Sequence, residues 1–263
     1  MGTAVARLLG RTHRLLLSDV SVERLDALLA AFSDEGYQAE GIPGDLADPD
    51  VARSLARRCD ELGSLRSLVN ATGLSPAQAD WLAIVRANTI APTHLLDAFE
   101  PLLEWGAACV MIASVAGHLG PPDPEADALL AAPLEPDMPD RLEPRLRALA
   151  EADGGTVQGH AYSLSKRAVI RLCARRASDW GKRGARILSV SPGMVWTPMG
   201  RREADSGARA AGLLQKTPAG RWGTAMDVAT AVEFLVSEAA GFITGCDIRV
   251  DGGAVAAVRG ERF

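Results

Sequence analysis

The sequence predicts an α/β fold in which a parallel sheet is covered by helices on both faces. Short apolar runs that indicate buried strands alternate with longer segments whose apolar residues recur at helical spacing. Strands separated by helices of this length pair in parallel, so the sheet needs cover on both faces. Ligands of such doubly wound sheets bind beyond the carboxyl ends of the strands. We therefore expect the functional residues just after the strands.

Each element follows from its own pattern of apolar, capping and helix-breaking residues. Strands are predicted at residues 14–18, 38–46, 65–73, 107–114, 185–193 and 246–250. Helices are predicted at residues 21–36, 48–63, 76–105, 160–181 and 224–238, the third of them bent near Pro92. Ser21 is a candidate N-cap and Gly36 a candidate stop. Helical spacing at Val5, Leu8 and Leu9 predicts one more helix at the very start.

A proline-rich segment interrupts the alternation. Residues 121–144 hold 7 of the chain's 15 prolines, so they cannot form one continuous helix. A short helix can begin at Pro144, because proline is tolerated at the first helical position. We interpret residues 121–158 as an insertion before the 160–181 helix. We expect an irregular lobe outside the sheet with a short helix near 144–152.

Composition narrows the function classes. The 263 residues are 48% hydrophobic, enough for one large or two small domains, and we take residues 1–263 as a single domain. A net charge of −5 provides no basic face for nucleic acid. No apolar run reaches the length of a membrane span, and no signal-peptide pattern is present. The scattered cysteines and histidines predict no metal site, and they fit reduced thiols in a cytoplasmic protein.

One tyrosine and one lysine form the first chemical pattern. Tyr162 and Lys166 lie four residues apart on a predicted helix, so they share a face. A phenol is a poor base at neutral pH, and an ammonium group ~4–6 Å away lowers its pKa by favouring the phenolate. The pair therefore suits general acid–base chemistry. Alone the spacing is a weak signal, and a packing role for the tyrosine remains the alternative.

Several motifs in a fixed order extend this pattern. The chain contains "LVNATG", "ANT", "SVAG", "YSLSK" and "SPGMVWTP", and it continues through "RWGTAMDVATAVEFLVSEAAGFITGCDIRVDGG". In this order they resemble the short-chain dehydrogenase/reductase family over nearly the whole chain. The resemblance implies a Rossmann-type fold. It also implies hydride transfer between a nicotinamide cofactor and an alcohol or carbonyl substrate.

The resemblance also assigns roles near the reacting atoms. Tyr162 would be the catalytic acid/base, and Lys166 would lower its pKa and bind the nicotinamide ribose. Ser114 would hydrogen-bond the substrate oxygen, where charge develops. Asn88 would hold a water that links Lys166 to solvent. The structural alternatives are a turn residue for Ser114 and a helix-bend residue for Asn88.

The cofactor assignment depends chiefly on Asp19. It ends the 14–18 strand, where a carboxylate can bond the adenosine ribose and repel a 2′-phosphate, so NAD is expected over NADP. A loop carboxylate near the next helix is the alternative. The turn reads Asn-Ala-Thr-Gly, a mild departure from the family's Asn-Asn-Ala-Gly. Further cofactor contacts are implied for Gly2, Asp45, Leu46, Asn70, Ala71, Gly73, Tyr162, Lys166, Pro192, Gly193 and Thr197.

Substrate signals are fewer. The family's substrate loop corresponds to residues 194–215, where Met194, Trp196 and Met199 suggest an apolar pocket, although these residue types serve packing as often. His118 is a further candidate for the pocket. The long insertion resembles a hydroxysteroid dehydrogenase and carbonyl reductase branch. This implies a secondary alcohol or ketone, steroid-like or another apolar alicyclic, and a homo-oligomer, either dimer or tetramer.

The first residues depart from the family pattern. The family opens with a strand followed by Thr-Gly-x-x-x-Gly-x-Gly, and this chain matches only the end of that motif, with Gly2 as its last glycine. Either Met1 is an internal methionine of a longer enzyme, or the chain is a degenerate member that acts as a binding or assembly module without turnover. The family's first strand lies between the 14–18 and 65–73 strands. We therefore expect a gap of ~10 Å there.

Overall fold

The computed structural model describes residues 1–205 and 208–260 of the chain. Its strands lie within the six predicted segments and are shorter than predicted. They are β1 (Leu15–Leu17), β2 (Ala39–Gly41), β3 (Ser67–Asn70), β4 (Ala108–Ile112), β5 (Arg186–Pro192) and β6 (Asp247–Val250). All pair in parallel, β1 with β2, and β3 to β6 in chain order.

The predicted helices are present with shifted ends, and α6, α7, α10, α11 and α13 were not predicted. They are α1 (Gly2–Leu9), α2 (Val22–Asp34), α3 (Pro49–Leu62), α4 (Trp81–Val85), α5 (Ala91–Phe99), α6 (Ala116–Leu119), α7 (Pro124–Leu129), α8 (Met138–Asp153), α9 (Val157–Lys182), α10 (Pro198–Asp205), α11 (Ala208–Lys216), α12 (Ala225–Val236) and α13 (Ala254–Arg259). Among the described helices, none is long and apolar enough to cross a membrane.

Capping residues explain where several helices begin and end. Ser21 accepts a hydrogen bond from the Arg24 N–H at the start of α2. Gly36, just past the end of α2, has φ of 82°, a conformation that favours glycine. Thr224 and Asp227 form a capping box at the start of α12. The predicted N-cap and stop of α2 are therefore confirmed.

Helices cover both faces of the sheet, which confirms the doubly wound α/β prediction. On one face α3, α5 and α9 contribute apolar side chains such as Leu55, Phe99 and Val169 to a cluster that includes strand residues of β4 and β5. On the other face α1 and α12 pack residues such as Val5 and Val232 against the opposite sides of the same strands. Every residue of β4 and β5 is buried as a result.

The sheet is divided between β1 and β3. Within residues 1–205 and 208–260 no strand lies between these two, so β1–β2 forms a separate two-stranded sheet beside the four-stranded one. The expected gap between the 14–18 and 65–73 strands is therefore confirmed. β1 and β3 each keep half-buried residues, unlike β4 and β5.

The insertion is more helical than predicted. It lies outside the sheet, as expected. The prediction of a short helix near 144–152 was wrong, because α8 runs from Met138 to Asp153 with Pro144 in its interior. Met138, Leu142 and Leu146 are spaced by four residues and are at most 1% exposed. They pack in one cluster with residues of α4 and α9. This burial outweighs the cost of an interior proline.

The prediction of one helix at residues 76–105, bent near Pro92, was also wrong in its details. Helix α4 begins only at Trp81, where the Asp80 side chain caps it. A π-helical turn from Arg86 to Ile90 then joins α4 to α5. The irregular turn therefore precedes Pro92, which lies in the first turn of α5, where proline is tolerated.

Candidate active site

The carboxyl end of β4 and the first turns of α9 bring three predicted residues together. Lys166 Nζ donates a 3.1 Å hydrogen bond to the carbonyl oxygen of Ile112, the last residue of β4. The same nitrogen lies 5.9 Å from the centre of the Tyr162 ring. Ser114 follows β4 and hydrogen-bonds the Tyr162 side chain. The tyrosine, lysine and serine therefore form one cluster.

Asn88 joins this cluster through the π-helical turn and the loop after β3. Its Oδ1 accepts the Leu74 N–H at 3.0 Å, and its Nδ2 donates to Leu74 O and Ser165 Oγ, each at 3.1 Å. A Cβ added at Gly73 would lie 3.0 Å from both Asn88 Oδ1 and Lys166 Nζ. Any larger residue here would therefore have to displace the side chain of Asn88 or Lys166 by a few tenths of an ångström. Asn88 serves as a bend residue and also lies in the cluster.

Burial sets the pKa values of the pair. It raises the pKa of Tyr162 well above its ordinary value, and the Glu203 carboxylate adds to this, while the Ser114 hydrogen bond opposes it. Burial also lowers the pKa of Lys166 to about 8. The expected lowering of the tyrosine pKa by Lys166 was therefore wrong for this structure, because desolvation of the phenolate is the larger effect.

The nicotinamide-side candidates lie where β5 ends. A Cβ at Gly193 would come within 2.8 Å of Asp251 Cα, so the backbone needs a glycine there. Pro192 O accepts the Val115 N–H at 3.1 Å, which ties the ends of β5 and β4 together. Thr197 Oγ1 accepts the Gly200 N–H at 3.1 Å and so caps α10. The hydroxyl of Thr197 is therefore already used in a structural contact.

The adenosine-side candidates line the ends of β1, β2 and β3. Asp19 accepts hydrogen bonds from Ser21 N–H and from Arg24, both at 2.8 Å. The guanidinium of Arg24 was not foreseen, and it offsets the negative charge of Asp19. Two of the other candidates also accept hydrogen bonds from nearby residues: Asp45 from the Ala47 N–H, and Asn70 from the N–H and hydroxyl of Thr72. Leu46 is buried, and a Cβ added at Gly2 would lie 3.4 Å from the side chain of Ala71.

Comparison with known families covers most of the chain in two parts. The model described as "short chain dehydrogenase" matches residues 1–124, and the one described as "Enoyl-(Acyl carrier protein) reductase" matches residues 148–255. A 3-alpha-hydroxysteroid dehydrogenase/carbonyl reductase from Comamonas testosteroni is 31% identical over 87% of this chain and 91% of its own. The chain belongs to the short-chain dehydrogenase/reductase family.

Other members of the short-chain dehydrogenase/reductase family agree in sequence and fold. The short-chain dehydrogenase/reductase bsc3 of Alternaria brassicicola is 29% identical over 97% of this chain and 92% of its own. A gluconate 5-dehydrogenase of Burkholderia cenocepacia, solved with NADP and tartrate, superposes with a TM-score of 0.74 at 24% identity, covering 97% of this chain and 91% of its own. Family members are NAD(P)-dependent oxidoreductases that act on CH–OH groups.

The family's substrate loop is partly built of aromatic contacts here. Trp196 is 53% exposed and packs edge to face on Trp222, with ring centres 5.1 Å apart. Met194 and Met199 are half-buried. Residues 206–207 of the predicted 194–215 loop lie outside the described residues.

The position of His118 in the sequence did not indicate the contact that its side chain makes. Its Nε2 lies 2.8 Å from Asp247 Oδ2 on β6, and the other carboxylate oxygen accepts from Ser189 and Ser191. This network occupies the imidazole, whereas the prediction had the ring lining the substrate pocket. The structure therefore places His118 against β6.

Sequence reasoning missed Glu203. This residue of α10 interacts electrostatically with Tyr162 and Lys166 and hydrogen-bonds Ser75, and burial raises the pKa of its carboxyl. No motif marks the position, and it lies far along the chain from the other members of the cluster. Only the fold of the segment after β5 could reveal it.

Proposed function

We propose that the protein transfers a hydride between NAD(H) and a secondary alcohol or its ketone. The observation that supports this most directly is the convergence of Ser114, Tyr162 and Lys166 with Asn88 around Gly73. These side chains come from three separate segments, the end of β4, the π-helical turn and α9, so a shared packing role does not explain their chemistry. The alternative of a non-catalytic module is not favoured, because each reactive group is retained.

The residues at the ends of the central strands fit a nicotinamide cofactor. Gly73 and Gly193 leave open the space that a side chain would fill, beside Lys166 and beside the end of β5. We propose that Lys166 binds the nicotinamide ribose, and that Pro192, Gly193 and Thr197 receive the carboxamide. When bound, the cofactor supplies or accepts the hydride.

Proton transfer is assigned to Tyr162. Its raised pKa keeps the phenol protonated at neutral pH, which is the form that donates a proton to a carbonyl oxygen. Lys166, with a pKa of about 8, is mostly an ammonium at pH 7 and stabilises negative charge on that phenol oxygen. Ser114 donates to the substrate oxygen, and Asn88 holds a water on the solvent side of Lys166.

The choice of NAD over NADP is proposed from Asp19. A carboxylate that bonds the adenosine ribose repels a 2′-phosphate, whereas a nearby arginine accommodates one. Asp19 and Arg24 lie 2.8 Å apart, so the two effects compete in this chain. The gluconate 5-dehydrogenase relative was solved with NADP. We propose NAD because the carboxylate lies two residues past the end of β1, at the carboxyl edge of the sheet.

An apolar alicyclic substrate is the proposed class. The Trp196–Trp222 pair and two methionines supply apolar surface in the segment after β5, and one relative is named a hydroxysteroid dehydrogenase/carbonyl reductase. We further propose a cytoplasmic homo-oligomer. Because α7 and α8 pack over α4 and α9, the subunits would meet through a surface other than the covered faces of α4 and α9.

The test is turnover with the Tyr162→Phe variant. The ring and its packing remain, and only the transferable proton is lost. With NAD(H) and a panel of 3-hydroxysteroids, cyclic alcohols and their ketones, we expect a loss of about 10²–10⁴-fold in kcat with little change in NAD binding. If Tyr162→Phe keeps half of the parent's kcat, Tyr162 is not the proton donor of the proposed mechanism.

A further inference from the structure

The short helix α6 follows the candidate catalytic serine and has one polar side chain. Its four residues are Ala116, Gly117, His118 and Leu119, so only the imidazole of His118 can fix the helix to its surroundings by a side-chain hydrogen bond. Ser114 lies two residues before the helix begins. The contacts of His118 therefore bear on how Ser114 is held.

His118 joins α6 to the sheet. Its Nε2 lies 2.8 Å from Asp247 Oδ2 on β6, and the Asp247 side chain is only 6% exposed. The hydroxyls of Ser189 and Ser191 donate to the other oxygen of this carboxylate. Because an ionised carboxylate only accepts hydrogen bonds, the imidazole donates from Nε2. The bond therefore connects α6 to β6 directly and to β5 through the two serines.

Helix α6 also packs on α9 beside Lys166. A Cβ added at Gly117 would lie 2.9 Å from the carbonyl carbon of Lys166 and 2.8 Å from the backbone nitrogen of Arg167. The guanidinium of Arg167 donates to the carbonyl oxygens of Gly117, Gly120 and Pro121. Helix α6 therefore lies between two attachments, to α9 through backbone contact and Arg167, and to β6 through His118.

The backbone and the hydroxyl of Ser114 are held by different neighbours. The backbone on either side is bonded to carbonyl oxygens of β5, through the N–H of Ala113 at 2.7 Å and the N–H of Val115 at 3.1 Å. Ser114 Oγ instead accepts the N–H of Ala116, in α6, at 3.2 Å. The backbone of Ser114 therefore depends on β5, whereas the direction of its hydroxyl depends on where α6 lies.

We propose that His118 is a positioning residue, which holds α6 so that the Ala116 N–H keeps the Ser114 hydroxyl directed at the substrate oxygen. A hydroxyl that donates to developing negative charge is effective only while it points at that oxygen. Without the bond to Asp247, α6 keeps its contacts with α9 but loses its side-chain bond to the sheet. The imidazole itself need not touch the substrate. This inference rests on the proposed function, in which Ser114 contacts the substrate.

Four variants of the 263-residue chain isolate this contact. His118→Leu removes the bond, and His118→Gln is the conservative variant, because its amide nitrogen has a similar reach and donates to the same carboxylate. Ser189→Ala is the matched control, since it removes another hydrogen bond to Asp247 without touching α6. If His118→Leu fails to fold because Asp247 is left buried without the imidazole, His118→Leu combined with Asp247→Asn removes that charge and replaces it in every measurement.

Turnover with NAD(H) and the same substrate panel gives the first measurement. We expect His118→Leu to lower kcat by about 10- to 10²-fold with KM changed less than about threefold, because the lost interaction is made chiefly in the transition state. His118→Gln and Ser189→Ala should stay within about twofold of the parent. A parent-like kcat in His118→Leu would overturn the inference.

A Ser114→Ala background tests whether His118 acts through the serine. There the change His118→Leu should lower kcat by less than about twofold, because the hydroxyl that it positions is already absent. A general loss of structure would lower kcat by the same factor in both backgrounds. Equal factors would therefore show that His118 does not act through Ser114.

Amide hydrogen exchange without cofactor or substrate gives a measurement that needs no turnover. His118→Leu should speed exchange of the Ala116 amide by about tenfold or more, while the Ala113 amide, bonded to β5, serves as the unchanged reference. Parent-like exchange at Ala116 would overturn the inference and leave the proposed function standing. If instead Ser114→Ala keeps the kcat of the parent, the proposed role of Ser114 is wrong and the inference fails with it.

Discussion

Gly73→Ala is the substitution for which the structure defines the consequence most closely. The new methyl carbon would lie 3.0 Å from Asn88 Oδ1 and 3.0 Å from Lys166 Nζ, closer than ordinary van der Waals contact. Both neighbours are held: Asn88 by its bonds to Leu74 and Ser165, and Lys166 by its bond to Ile112 O. Neither can move without lengthening a hydrogen bond.

The magnitude follows from these contacts. Overpacking of a filled site costs about 1–3 kcal/mol, and a weakened hydrogen bond costs about 1 kcal/mol more. In a chain of this size each kcal/mol lowers Tm by roughly 2–4 °C. A displacement of about 1 Å in catalytic groups can lower kcat by about 10²-fold. We therefore expect Gly73→Ala to lose activity more severely than stability.

Gly181→Ala is the matched control, on the helix that carries Tyr162. A Cβ at Gly181 meets nothing within 4 Å, so alanine there should stabilise the chain by about 0.4–1 kcal/mol. Thermal melting and NAD-linked turnover of the two variants are compared with the parent. If Gly73→Ala matches Gly181→Ala in both measurements, the close approach at Gly73 has no role in the site.

Three further predictions concern charge, cofactor and packing. Between pH 8 and 10 the unfolded chain still binds a proton that folded Lys166, with its pKa of about 8, has lost, so Lys166 contributes a rise in stability of up to ~1.4 kcal/mol per pH unit, whereas the raised pKa values of the buried Cys109 and Cys173 thiols contribute a fall in both parent and variant; the free energy of unfolding in urea should therefore fall more steeply with pH in Lys166→Met than in the parent, and identical slopes would contradict the assignment. Side-by-side titrations should show NADP binding at least tenfold more weakly than NAD, with a smaller difference in Asp19→Asn; equal affinities in the parent would show that Asp19 does not face the ribose. Leu142→Ala should cost about 2–5 kcal/mol and promote self-association by loosening α8, whereas Leu134→Ala, at 45% exposure, should stay within about 0.5 kcal/mol; equal losses would refute the packing of the insertion.

Local pattern was enough to predict the strands, the main helices and the shared helical face of Tyr162 and Lys166. These features depend on spacing within one segment, which the sequence displays directly. The insertion shows where the same method fails. Prolines argued against a long helix, but Met138, Leu142 and Leu146 already had helical spacing. Burial of these three side chains together, at about 1.5–3 kcal/mol each, exceeds the ~3 kcal/mol cost of Pro144.

Contacts between distant segments could not be predicted from sequence. Arg24 offsets the charge of Asp19, and Glu203 raises the pKa of Tyr162, yet neither residue belongs to a recognisable motif. The sign of the tyrosine shift was missed for the same reason. The sequence showed a nearby ammonium, whereas the degree of burial depends on how β4, α9 and α10 pack together.

The strands differ in how fully they are buried, and the proposed catalytic residues and the adenosine-side candidates lie beside strands of different burial. Ser114, Tyr162 and Lys166 stand on or beside β4 and α9, where the strands are buried throughout. The adenosine-side candidates Asp19, just past the end of β1, and Asn70, the last residue of β3, lie beside the gap between these two strands. Regions with fewer buried contacts and unpaired edges open at lower free energy. Substitutions beside this gap should therefore alter cofactor affinity first, and the geometry around Tyr162 only when the four-stranded sheet itself opens.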